Sequence, residues 1–292
     1  ETLNSLLRNF TFVETLMVAV ERLGRFAELE PEEPPGAGEE PPAQWPVAGA
    51  VSFDGVRFGY RPGLPDVLQG LSLDIAAHEK VGIVGRTGAG KSSILVALFR
   101  MGEVRAGTIS IDGVDTASVP LKRLRSALAI IPQDPILFTG TLRMNLDPFN
   151  EHTDAELWGA LEQCSVANVA RDHEQGLNKP VDERGGNFSV GQRQLVCMAR
   201  AQLKRARVLV LDEATASVDL ETDALIQETL RHQMAHVTVL TIAHRLETIL
   251  NGDRVVVIEQ GRVAESGAPV ARRDRRGARV GELWQSRSQE SE

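Results

Sequence analysis

The chain has 292 residues, with 32 Lys and Arg against 40 Asp and Glu, a formal net charge of −8. That length suits one large domain or two modest ones, and the acidic balance argues against a general nucleic-acid coat protein. Its two cysteines, Cys164 and Cys197, fit neither a metal spacing nor a disulfide framework, so a reducing compartment is expected. No apolar run approaches the roughly 18 residues that would span a bilayer, and no signal peptide is evident. The chain as given is therefore expected to be soluble, although it can be a piece of something larger.

Residues 1–29 predict a helix. Leu3, Leu6, Leu7, Phe10, Val13, Met17, Val20 and Leu23 recur at three- and four-residue intervals and share one face. That face belongs either to the protein's own core or to a segment absent from this chain. Residues 30–49 change character, with five prolines and five glutamates between 30 and 42. Such a stretch predicts an extended acidic linker with no packed element. A helix set apart in this way favours the absent-segment reading.

The body is expected over about residues 50–285, with 286–292 as a tail. Val51–Phe58 and Leu68–Ile75 alternate as strands and suggest an antiparallel side sheet. Val81–Val84 is a short buried strand. Lys91–Met101 predicts a helix with an apolar stripe of Ile94, Leu95, Leu98 and Phe99. Thr108–Ile111, before Asp112-Gly113, resembles a hairpin arm. Ala129–Ile131 is another strand, and residues 141–205 are mostly helical in pattern. Val208–Leu211 and Val237–Ile242 are apolar strands separated by a helix from about Glu221 to Met234. Val255–Glu259 and Arg262–Glu265 close a hairpin around Gln260-Gly261. Strands alternating with helices predict an α/β fold with a largely parallel sheet, plus a helical insertion at 141–205.

Gly85-Arg86-Thr87-Gly88-Ala89-Gly90-Lys91-Ser92 fits G-x-x-x-x-G-K-[ST] between a strand and a helix. The glycines let successive N–H groups point inward at phosphate oxygens, and the helix N-terminus adds positive potential. Lys91 can reach the β- and γ-phosphates, and the Ser92 hydroxyl can ligate Mg²⁺. The acids at the end of Val208–Leu211 supply the other half of a nucleoside-triphosphate site. Asp212 would hold Mg²⁺, and Glu213 would orient and deprotonate the attacking water. Together these motifs define a P-loop nucleotidase.

Ser189-Val190-Gly191-Gln192, opening an apolar helix about 20 residues before the acidic strand, resembles the signature motif of ATP-binding-cassette proteins. The remaining family segments follow in order over about residues 50–267. The closest resemblance is to the second nucleotide-binding domain of subfamily C transporters, the multidrug-resistance-associated type. It rests on Gly88–Ser93, Ile131–Thr141 with Asn145–Phe149, Ser189–Leu195 and Leu211–Asp219. Met17–Leu23 resembles the stretch that follows the last membrane helix in that subfamily.

The resemblance implies a P-loop core of the ABC type with an antiparallel side sheet and a helical subdomain. It also implies roles for individual residues. Tyr60 would stack on adenine, the 85–93 loop including Ser93 would hold ATP, and Gln133 would touch Mg²⁺ and water. His244 would contact the γ-phosphate. Ser189, Gly191 and Gln192 would reach ATP held by a partner domain, which Asp219 would face. The expected cofactors are ATP and Mg²⁺. The expected partners are the first nucleotide-binding domain, in a head-to-tail dimer, and the membrane domains of the same transporter, at the cytoplasmic face of a membrane. No nucleic acid is expected, and membrane contact would run only through the transmembrane domains. A nucleotide-sensing module that gates a channel is the alternative; a soluble cassette ATPase of DNA repair or translation lacks its usual long insertions here.

Two features depart from the family pattern. Phe188 and Val190 stand where the signature usually has Leu and Gly, and a branched side chain restricts the backbone beside a phosphate. In subfamily C such variation accompanies one weak and one competent site. The P-loop here should belong to the competent one and the signature here should complete the weak one. Residues 271–292 match the family poorly.

Overall fold

The computed structural model describes residues 2–34, 36–61, 63–212, 220–242 and 252–269. The chain divides into two units, residues 1–37 and 38–292. In the first, α1 (Thr2–Ala27) follows the expected periodicity. Its apolar side chains, such as Leu6 and Phe10, each 67 % accessible, are all exposed.

The second unit opens with β1 (Val51–Phe58), β2 (Leu68–Ile75) and β3 (Lys80–Val84). After β3 the chain turns into α2 (Lys91–Leu98), then β4 (Val104–Ile111), β5 (Val114–Asp115) and α3 (Leu121–Ala127). β6 (Leu128–Ile131) leads through β7 (Gly140–Thr141) into α4 (Leu142–Leu146), α5 (Asp154–Gln163), α6 (Asn168–Arg171) and β8 (Pro180–Val181). α7 (Val190–Leu203), β9 (Val208–Asp212), α8 (Leu220–His232), β10 (Thr238–Ile242), β11 (Arg254–Glu259) and β12 (Arg262–Gly267) complete it. α3 is the main unanticipated element: seven residues carry too little periodicity to stand out, although Leu121, Leu124 and Ala127 are its buried face.

Among the described residues the central sheet runs β12-β11-β3-β10-β9-β6, and the side sheet runs β2-β1-β4-β5. The central pairings are parallel except β11 with β12, and the side sheet is antiparallel, as expected. β9 shows why its four apolar residues run without interruption. Val208 and Val210 pack into a cluster with Phe53, Ile83, Ile94 and Leu98, whereas Leu209 and Leu211 pack with Leu142, Leu161 and Val196. A strand covered on both faces cannot alternate with polar residues.

The expected boundary near residue 50 is corrected by the structure, because the packed unit starts at Gly38. Trp45 is only 3 % accessible, and its Nε1 donates to the Ile111 carbonyl at 2.8 Å. The amides of Val47, Ala48 and Gly49 donate to Asp112 Oδ2 at 2.7, 2.9 and 3.1 Å, and that of Ala50 to Oδ1 at 2.8 Å. Arg123 holds the carbonyls of Ala43 and Trp45. Of the stretch 30–49 expected as a linker, residues 30–37 fall outside the packed unit. A Pro- and Glu-rich composition cannot bury itself locally, but here a tryptophan and four amides are captured by residues more than 60 positions away.

Candidate functional site

β3 is apolar and nearly all buried, and it delivers Gly85 to the edge of the sheet where the loop to α2 begins. A Cβ on Gly85 would lie 2.4 Å from the Ile258 carbonyl oxygen on neighbouring β11, so no larger residue fits. Gly88 and Gly90 have φ of 79° and 102°, the left-handed region open to glycine at little cost. These backbone values turn the loop over the start of α2, whose N-cap is Gly90. Lys91 is 6 % accessible, and its Nζ lies across the loop, donating to the carbonyls of Gly85 at 3.0 Å and Arg86 at 3.2 Å. Ser92 is exposed beside it, and Ser93 is buried.

The β11–β12 turn braces this loop. The Gly261 amide donates to the Ala89 carbonyl at 2.9 Å, and the Gly261 carbonyl accepts from Gln69 at 3.0 Å. Gly261 has φ of 72°, and a Cβ there would fall 2.0 Å from the Val67 oxygen. The Gln-Gly pair marked a hairpin in sequence, but nothing local linked it to the phosphate loop.

Strand register brings the other residues to the same edge. Ile242 pairs with Ile83 on one side and Asp212 on the other, and Ile131 pairs with Leu211. Gly85, Asp212 and Gln133 therefore all emerge at the carboxyl ends of parallel strands. β10 separates β3 from β9, so the loop strand and the acidic strand are about 10 Å apart. In open α/β sheets, ligands bind in the crevice outside this edge. Asp212 is half-buried and Gln133 exposed.

Tyr60 follows β1 and is tethered beside the loop, its hydroxyl 3.0 Å from Ser93 Oγ. Its ring meets Phe58 edge-on at 5.3 Å and is 54 % accessible, which leaves surface for a planar ligand. The loop thus fits a triphosphate on its own chemistry: left-handed glycines, a lysine held over the curl, a hydroxyl beside it and a carboxylate at the same edge. Ser92, Gln133 and Asp212 are hard oxygen donors of the kind Mg²⁺ takes.

Ser189 caps α7 in a reciprocal box, its Oγ accepting from the Gln192 amide at 3.1 Å while Gln192 Oε1 accepts from the Ser189 amide at 3.0 Å. The hydroxyl proton of Ser189 is not used in that box. Phe188 is buried, with the Lys179 ammonium 4.9 Å from its ring centre. Gly191 has a packing role that its sequence position did not reveal. A Cβ there would lie 2.6 Å from Thr222 Cγ2, so α7 and α8 approach only because the residue is glycine. Among the described residues no hydrogen bond joins Ser189 or Gln192 to the 85–93 loop. Glu213, Asp219 and His244 lie outside the described residues; in sequence, Glu213 directly follows Asp212, and His244 stands two positions after β10.

Cys164, Cys197, Asp112 and Lys80 are held in structural surroundings away from this edge. Burial pushes the Cys164 thiol up to about 12 and raises that of Cys197, so neither is a nucleophile at neutral pH. Burial would raise the Asp112 carboxyl, but the four amides hold it below the usual carboxylate range. Lys80 Nζ is ringed by the carbonyls of His78, Met234, Ala235 and Val237, and burial lowers its pKa.

The family profile described as ABC transporter matches residues 68–216. The chain is 52 % identical over 269 residues to ATP-binding cassette sub-family C member 2 from Homo sapiens, covering 92 % of this chain and 17 % of that protein. It is 49 % identical over 291 residues to sub-family C member 10 from Mus musculus, covering 98 % and 19 % respectively. A solved structure, that of a bacterial Atm1-family ABC exporter with ATP bound, superimposes with a TM-score of 0.83 at 35 % identity, covering 94 % of this chain and 48 % of that one. The chain thus spans less than a fifth of the length of these two curated relatives.

Proposed function

Because this chain belongs to the ABC transporter family, as an ATPase domain of the subfamily C type, we propose that it binds Mg-ATP at the 85–93 loop and hydrolyses it to power export of organic or conjugated substrates. The observation that carries this reading is the placement of Lys91 and Asp212 at one sheet edge, two strands apart. Lys91 would exchange its carbonyl partners for the β- and γ-phosphates, keeping its ammonium satisfied in both states. Amides of the loop from Gly88 to Lys91 would donate to phosphate oxygens, and Tyr60 would offer its exposed ring to the adenine. Base–aromatic stacking of this kind is worth roughly 1–3 kcal/mol. Mg²⁺, when bound, would offset charge on the phosphate oxygens, held by Ser92, Asp212 and Gln133. Glu213 would accept a proton from the attacking water, and His244 would donate to the γ-phosphate side.

Completion of the site calls for a second nucleotide-binding domain. Ser189, Gly191, Gln192 and Asp219 would face that partner in a head-to-tail arrangement. No described helix is long and apolar enough to cross a membrane. The exposed apolar face of α1 supports its reading as the continuation of a membrane helix, and the domain would then stand at the cytoplasmic face of a membrane.

Two substitutions in the full-length transporter test the assignment. Glu213→Gln should leave the ATP dissociation constant within about twofold while lowering kcat at least about 100-fold, the usual scale for losing a general base. Lys91→Ala should weaken ATP binding at least about tenfold. Wild-type turnover in Glu213→Gln, or unaltered affinity in Lys91→Ala, defeats it.

A further inference from the structure

Tyr60 stands on the connection from β1 to β2, residues 59–67, whose described residues form neither helix nor strand. Its hydroxyl meets Ser93. A contact at the far end of the ring does not fix the backbone that carries it, and stacking on a ring depends on where that ring is held.

That backbone is held by Arg105 on β4. The β1–β4 register skips this residue: Arg57 pairs with Ala106, and Phe58 with Val104. A residue set out of a ladder in this way has its side chain re-aimed, and this one reaches the connection. Nη1 donates to the Leu64 carbonyl at 2.8 Å and to Asp66 Oδ1 at 2.7 Å, and Nη2 donates to the Arg61 carbonyl. Arg57 Nε holds the other oxygen of Asp66 at 3.4 Å.

Gly59 completes the clamp. A Cβ there would fall 2.7 Å from Arg105 Cζ, 2.8 Å from Nη2 and 2.9 Å from Nη1. The near-equal distances put the face of the guanidinium against the glycine. Gly59 has no left-handed φ, so the space taken by Arg105 is what calls for glycine here. Arg105 thus grips the residues on both sides of Tyr60. A planar fork with several donors can serve three acceptors and still lie flat on Gly59, which a lysine ammonium cannot.

We propose that Arg105 is a positioning residue for base recognition: by fixing Gly59 and Arg61 it holds the Tyr60 ring where adenine stacks on it. The inference rests on the nucleotide reading of Tyr60 and extends it to a residue outside the phosphate loop. Its signature is that the base-dependent part of the affinity falls without Arg105, while the phosphate-dependent part stays.

The test is calorimetry on the whole 292-residue chain with Mg-ATP and with Mg-tripolyphosphate, which offers phosphates without a base. Arg105→Ala should weaken ATP at least about fivefold and leave tripolyphosphate within about twofold. Arg105→Lys should lose nearly as much although it keeps the charge. Gly59→Ala keeps every charge and puts a methyl where the guanidinium lies, so it too should weaken ATP and spare tripolyphosphate. In a Tyr60→Ala background, Arg105→Ala should change ATP affinity by less than about twofold. Parent-like ATP affinity in Arg105→Ala, equal weakening of both ligands, or an undiminished loss without Tyr60 would overturn the inference and leave the phosphate-loop assignment standing. Parent-like ATP affinity in Tyr60→Ala would instead overturn the reading of Tyr60 on which it rests, and a parent that binds neither ligand would overturn the whole nucleotide site.

Discussion

Gly191 sets two physical effects against each other at a single residue. As a glycine in α7 it lowers helix propensity, and replacement by alanine would ordinarily gain up to about 1 kcal/mol. The new methyl, however, would be driven to 2.6 Å from Thr222 Cγ2 and 2.8 Å from its Oγ1. Overpacking of this kind costs about 1–3 kcal/mol, so the clash should win. Gly191→Ala is expected to lower the urea midpoint, and Thr222→Ala should recover part of the loss, since it removes the two nearest atoms and leaves Thr222 Cβ at 3.1 Å. Strictly additive losses in the double variant would show that the two side chains do not meet. The example also marks a limit of reading residues in sequence order. Ser-x-Gly-Gln carried anion chemistry on its face, and the serine's capping box was foreseeable from the Gln three positions later. The glycine's contact with α8 was not, because its partner lies 31 residues on and no local pattern encodes that approach.

Among elements, the strap from Gly38 to Ala50 shows the same limit on a larger scale. The β3-loop-α2 unit was legible because strand, glycines, lysine and helix are contiguous. The parallel sheet was legible because buried strands run apolar without interruption. The strap was misread because its composition is that of a solvated linker, while its stability comes from Asp112 and Ile111 in the β4–β5 turn. Asp112 makes this testable by pH. Its folded-state pKa is depressed, so its contribution is fully present above the ordinary carboxylate value of about 3.9 and is lost as pH falls through the lower folded value. Asp112→Asn keeps a side chain tolerant of the left-handed φ of 49°, but it removes the charge and replaces one of the two accepting oxygens with an NH2 that cannot accept. The variant should melt below the parent at pH 7, and the gap should close as pH falls through the folded value. A gap independent of pH from 7 to below that value would mean that the carboxylate charge does not hold the strap. Trp45 fluorescence, in a chain lacking Trp158 and Trp284, should redden in the variant as its indole leaves the Ile111 carbonyl.

For the whole molecule, the proposed division of labour constrains kinetics. The phosphate loop and Asp212 belong to one chain, while the capped start of α7 would serve a second chain's nucleotide. An isolated copy can complete a site only by meeting another copy. The lid it then receives is its own signature, with Phe188 and Val190 in place of the usual Leu and Gly. Such a pairing should close poorly over phosphate, since Val190 restricts the backbone at the point of approach. Hydrolysis by the isolated chain is therefore expected to be slow, with turnover per chain rising in proportion to protein concentration. ATP binding, which needs only the chain's own loop, should not depend on concentration. Ser189→Ala should separate the two: it removes the hydroxyl that would reach across, so it should lower turnover while leaving ATP affinity at the chain's own loop unchanged. Because the same hydroxyl caps α7, a loss of about 1 kcal/mol in stability is expected alongside, and the assay must be run well below the variant's melting temperature. Turnover per chain that stays constant over a hundredfold dilution would show that one copy carries a complete catalytic site, and the head-to-tail arrangement would have to be abandoned.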